Sequence, residues 1–192
     1  RSQKGQRFSE AEIVQLFKNL LPVLSYLHRL GVIHRDISPD NIIYRPQDQL
    51  PVLIDLGGVK QVAMNVAYQL AGGHNHLSGS TNTRLGKLGY APDEQLRLGI
   101  VAPYSDLYAL GVTALVLMTG KQPQELIDPQ TMNWIWSRQL TVSYLMKRIL
   151  NRMLASQPSK RFQSADEILQ ILESESSGAA INYSIVSQPE KT

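Results

Sequence analysis

Apolar residues recur at helical spacing from Ile13 through Leu16, Phe17, Leu20 and Leu24 to Leu27, and Gly31 closes the run. Ser9, with Glu12 three residues on, is a capping box that starts this helix, and Pro22 inside it predicts a kink. Two short apolar runs follow, "NIIY" and "PVLID", separated by "RPQDQ". They read as a β-hairpin with Asp55 at its far end. Residues 57–90 are rich in Gly, Ser, Thr and Asn and lack a sustained period, the mark of a functional or mobile loop. Beyond them "YSDLYALGVTALVLMTG" is apolar on nearly every side, which predicts a buried central helix started by Ser105. Three more helical patterns lie near 129–137, 143–154 and 164–173, the last opening on a second capping box, Ser164 with Glu167. From Ser174 the chain turns polar and aperiodic. The expectation is one mainly α domain (α+β class) over residues 1–173, with a small β-hairpin, followed by a polar linker or tail over 174–192.

Composition narrows the function. The 192 residues can bury a substantial core, and 43% apolar with 18% charged residues is ordinary for a soluble chain. A net charge of +3 without a block of like charges argues against a dedicated nucleic-acid binder. The absence of cysteine excludes disulfides and thiolate chemistry and fits a cytoplasmic setting. The longest near-apolar run, Tyr108 to Met118, is too short to span a bilayer, and no signal-peptide pattern opens the chain.

The chemistry gathers in "IHRDISPDN", Ile33 to Asn41. Pro39 pushes Ser38 out of the helical region, so this stretch is a loop, and loops dense in unlike polar groups do chemistry. Phosphoryl transfer is mostly positioning and charge neutralisation. It needs a carboxylate near the acceptor hydroxyl and oxygen ligands for magnesium. Asp36, Asn41 and Asp55 supply such a set, with Gly57 letting the chain turn away after Asp55.

"HRDISPDN" resembles the catalytic loop of the protein kinase family, and "DLG", Asp55 to Gly57, resembles its D-F-G. The resemblance continues in order through "GKLGYAPDEQ", "SDLYALG" and "PSKRFQSADEIL", and the style is that of bacterial, eukaryotic-like Ser/Thr kinases. It implies that Asp36 orients the substrate hydroxyl and takes its proton. Asn41, Ile43 and Asp55 would bind ATP, with Asn41 and Asp55 holding Mg2+. His34 and Leu56 would stack in an internal apolar column, Arg35 would pair with a phosphate or acid, Asp106 would brace the loop backbone, and Glu94 would bridge to Arg161. The acceptor would be a protein Ser or Thr hydroxyl.

Two positions depart from the family. Ser38 stands where its Ser/Thr members carry Lys, and Lys87 where they carry Thr. The expectation is a reversed catalytic group of Asp36, Ser38 and Lys87. No G-x-G and no strand Lys precede the loop, so the small N-terminal β lobe is absent from this chain and is its missing partner. With Arg as first residue, a fragment is expected rather than a natural one-lobe protein, and the fragment alone is expected to be inactive. Two rivals stand beside the kinase reading: a pseudokinase scaffold, favoured by Ser38, and a small-molecule phosphotransferase, which "GYAPDEQ" argues against. His74 and His76 read as solvated rather than metal-binding, Trp134 and Trp136 as one core residue and one at its edge, and Ser78, Ser80, Thr81 and Thr83 as candidate phosphorylation sites.

Overall fold

Helix α1 (Glu10–Arg29) buries Ile13, Leu16, Phe17, Leu20, Leu21 and Leu24 along one face. In the computed structural model, which describes residues 7–55 and 86–174, it starts at the expected capping box. Ser9 N–H donates to the Glu12 carboxylate at 2.7 Å, and Glu12 N–H donates to Ser9 Oγ at 3.3 Å. The helix runs through Pro22 without a break, because Pro22 lies on the exposed side while the buried stripe continues through Leu24 and Ser25.

The hairpin forms as read: β1 (Ile42–Tyr44) pairs antiparallel with β2 (Pro51–Leu53), Ile42 opposite Leu53. This two-stranded sheet is the only one among the described residues. A short helix α2 (Asp93–Leu98), which sequence reasoning missed, leads into α3 (Pro103–Thr119). The central helix α3 has Leu107, Leu110, Val112, Ala114 and Leu115 fully buried. It begins two residues before the predicted start, because Pro103 presets the helical φ and lacks an N–H that would need a partner. Ser105 still caps, from inside the first turn, by accepting from Ala102 N–H at 3.2 Å.

The helix predicted near 129–137 does not form. The Asp128 carboxylate accepts from the N–H groups of Gln130 and Thr131 at 2.9 and 3.0 Å, a local turn that competes with helix. A bridge between Ile127 and Trp134 and a single 3-10 turn, Trp136–Arg138, take its place. Trp136 enters the core and Trp134 sits at its edge. Helix α4 (Tyr144–Met153) is capped by Ser143 and packs on α3 across Gly111, where a Cβ would come within 3.1 Å of Met153 Cβ. Helix α5 (165–174) closes the core with Ala165, Ile168 and Leu172, the side chain of Glu167 accepting from Ser164 N–H at 3.2 Å. The architecture is thus mainly helical around α1 and α3, with the hairpin beside α1 carrying the loop end of interest.

Candidate active site

Asp106, in the first turn of α3 and 1% exposed, fixes the polar loop. Its carboxylate accepts the backbone N–H of His34 at 2.9 Å and of Arg35 at 2.8 Å, and lies 2.9 Å from His28 Nε2. Three partners satisfy a carboxylate that burial would otherwise penalise. The grip bends the loop: Arg35 has φ +71°, a region that non-glycine residues rarely adopt. Burial pulls the Arg35 guanidinium pKa down, opposed by the negative charge of Asp106. The His34 ring is completely buried.

Asn41 ends the 3-10 turn Pro39–Asn41 and turns its amide nitrogen back on the loop. It donates to the main-chain oxygen of Asp36 at 2.7 Å and to Asp36 Oδ2 at 2.9 Å. One carboxylate oxygen is therefore locked, while the other, Oδ1, is buried without a partner. The hairpin register does the rest. Ile54 N–H donates to Asn41 O at 2.9 Å, so Asp55, one residue on, stands at the same end of the sheet as Asn41. Asp55 also has positive φ, +63°, which a side-chain-bearing residue adopts only at a cost.

These oxygens fit a hard cation. With the Asn41 nitrogen engaged by Asp36, the amide's carbonyl oxygen is its remaining donor atom, and the exposed Asp55 carboxylate is the second hard ligand. The orphaned Asp36 Oδ1 fits an acceptor for an incoming hydroxyl proton. Ile43, on β1, presents a half-exposed apolar side chain.

The structure does not join Asp36, Ser38 and Lys87. Ser38 is fully buried and its Oγ has no partner. The Lys87 ammonium instead pairs with the carboxylate of Asp40 and sits 4.9 Å from the Tyr90 ring centroid. Asp40 is the more exposed carboxylate of the loop and so the easier one for a hydrated ammonium to reach. Burial, with Asp40 nearby, pushes the Tyr90 phenol up to about 12.

Glu94 and Arg161 do meet. Arg161, 2% exposed, donates to Glu94 through Nη1 at 2.5 Å and Nη2 at 3.2 Å, and through Nε to Ala155 O at 2.7 Å. Its guanidinium also lies 4.6 Å from the Tyr108 ring centroid. Leu56, His74, His76, Ser78, Ser80, Thr81 and Thr83 lie outside the described residues. Sequence reasoning missed three site residues: His28, which touches Asp106; Gln95, whose Nε2 donates to Arg35 O at 2.8 Å; and Asp40. Their only sequence signal is polarity next to a motif, since each partner is remote in the chain.

Comparison with known proteins identifies the family and the fold. Residues 1–172 match the family described as "Protein kinase domain". The chain is 42% identical over 167 residues to the serine/threonine-protein kinase PknA of Nostoc sp., covering 86% of this chain and 28% of that protein. It is 37% identical over 187 residues to the serine/threonine-protein kinase B of Synechocystis sp., covering 97% of this chain and 32% of that one. It thus spans less than a third of the length of these curated relatives. The crystal structure of the Mycobacterium tuberculosis PknI kinase domain superposes with a TM-score of 0.62 at 22% identity, over 88% of this chain and 57% of that one.

Proposed function

This chain belongs to the protein kinase family, and on that premise we propose that it is the large lobe of a serine/threonine protein kinase. Its reaction would move the γ-phosphoryl group of ATP to a protein Ser or Thr hydroxyl. The observation that carries the reading is Asp36, clamped at one oxygen by Asn41 and buried without a partner at the other. A proton acceptor held in one rotamer, with one free lone-pair direction, is what the acceptor hydroxyl requires. As the hydroxyl oxygen bonds to phosphorus and the bond to ADP breaks, the hydroxyl proton passes to Asp36. Asn41 and Asp55 would hold Mg2+, which supplies charge neutralisation on the phosphates when bound. Ile43, half-exposed on β1, would lie against the nucleotide. Asp106 keeps the loop backbone in place during turnover through its two N–H contacts.

The roles of Asn41 and Asp55 require phosphates to be brought to them. A Gly-rich small lobe, in this polypeptide or another, would be the partner that does so. The absence of cysteine and the use of ATP suit the cytoplasm. A scaffold without chemistry would gain nothing from two strained backbones, Arg35 and Asp55, at one site. The test is incorporation of γ-phosphate from ATP–Mg by the full reading frame, beside Asp55→Ala. Transfer by the parent with a loss of at least about 100-fold in the variant is expected. Equal incorporation by both would overturn the reading.

A further inference from the structure

Between Asp36 and Asn41 the loop carries no positive side chain, since Ile37, Ser38, Pro39 and Asp40 are apolar, neutral or acidic. Phosphoryl transfer draws negative charge onto the moving group, and a cation beside it is a large part of the catalysis. Among the described residues, two cations reach this loop. Arg35 belongs to it, with its charge already set against Asp106. Lys87 comes from the segment after residue 86 and pairs with Asp40, the neighbour of the Asn41 that holds Asp36.

The backbone of Lys87 is fixed from both sides. Gly86 before it has φ +113°, and a Cβ there would lie 2.5 Å from Gln95 Nε2, 2.7 Å from Ala91 Cβ and 3.1 Å from Arg35 O. Only glycine lets this segment press against the loop. After it, the N–H groups of Tyr90 and Ala91 both donate to Lys87 O at 3.0 Å. The side chain, by contrast, is loosely held. Lys87 is 38% and Asp40 78% exposed at the side chain, so their ion pair contributes little in water. A flexible four-carbon stem and a compact ammonium can leave one exposed carboxylate for the more highly charged oxygens of a phosphate.

We propose that Lys87 is a catalytic cation that Asp40 parks beside the loop and that swings onto the phosphate being transferred, replacing from across the site the charge that Ser38 cannot provide. The inference rests on the kinase reading above.

It is tested in the full reading frame with two readouts. The first is steady-state transfer. Lys87→Met is expected to lower kcat about 100-fold with KM for ATP within about threefold. Transplanting the cation, Ser38→Lys with Lys87→Thr, is expected to recover at least about tenfold over Lys87→Thr alone. The second readout is acetylation of Lys87 by an amine-reactive ester, read by mass spectrometry. Mg–ATP is expected to protect Lys87 and Mg–ADP not to, and Asp40→Asn is expected to raise labelling without nucleotide at least about twofold. If the parent transfers phosphate while Lys87→Met keeps kcat within about twofold, or if ATP and ADP protect equally, the inference fails and the kinase reading stands. If the parent transfers none, the kinase reading fails and takes the inference with it.

Discussion

Arg161 and Asp36 both sit where several elements meet, and their surroundings treat polar atoms in opposite ways. Arg161 donates to both oxygens of Glu94 and to the carbonyls of Ala155 and Ser156, and lies beside the Tyr108 ring. Among the described residues, no buried side-chain polar atom of Arg161, Glu94 or Tyr108 is left without a partner. In the loop, His34 Nε2, Arg35 Nε, Asp36 Oδ1 and Ser38 Oγ are all buried without a partner. Each unmatched atom of this kind costs about 1–3 kcal/mol, and the cost is tolerated because Asp106 holds the loop from below. The difference separates two jobs. The bridge between Glu94 and Arg161 stores stability, and under the proposed kinase reading the loop's unpartnered atoms would be the ones that meet a substrate.

Substitutions that break this contrast follow from the same geometry. Asp36→Asn should lower phosphate transfer by about a thousandfold, roughly 4 kcal/mol of barrier, measured by initial rates at saturating ATP. Glu94→Ala strands a buried guanidinium and should lower unfolding free energy by about 3 kcal/mol, read from the urea midpoint. Asp106→Asn exchanges one acceptor oxygen of the brace for a donor. It should cost about 2 kcal/mol by the same melt and speed amide exchange at His34 and Arg35. Ser38→Ala removes a buried hydroxyl that has no partner and should raise stability by about 1 kcal/mol, the opposite sign to the others.

The stability half of this contrast was legible from sequence where period and caps agreed. Ile13 to Leu24 on α1, the β1–β2 hairpin and the all-round apolar α3 follow directly from spacing, though the register of the hairpin does not. The stretch at 129–137 misled because Asp128 turns the backbone locally, which periodicity does not register. Helix α2, at six residues, is too short to show a period. For the proposed site, chemistry and motif point to Asp36, Asn41 and Asp55 as candidates, whereas who touches whom is not written in the sequence. His28 reaches Asp106 across 78 positions, Gln95 reaches Arg35 across 60, and Lys87 chose Asp40 over Ser38 across 47. Such choices are set by how α1, the loop and the segment after Gly86 meet in space, and no local pattern encodes them.

The most direct test of the division between storing stability and holding atoms ready is the urea unfolding free energy of Asp36→Asn against the parent, taken on the samples used for the transfer assay. An unchanged value, within about 1 kcal/mol, beside lost transfer is the expected result, because Asp36 Oδ1 has no partner to lose. A loss of about 3 kcal/mol, matching the Glu94→Ala expectation, would mean that the loop is a structural network like the one around Arg161 and would contradict the account.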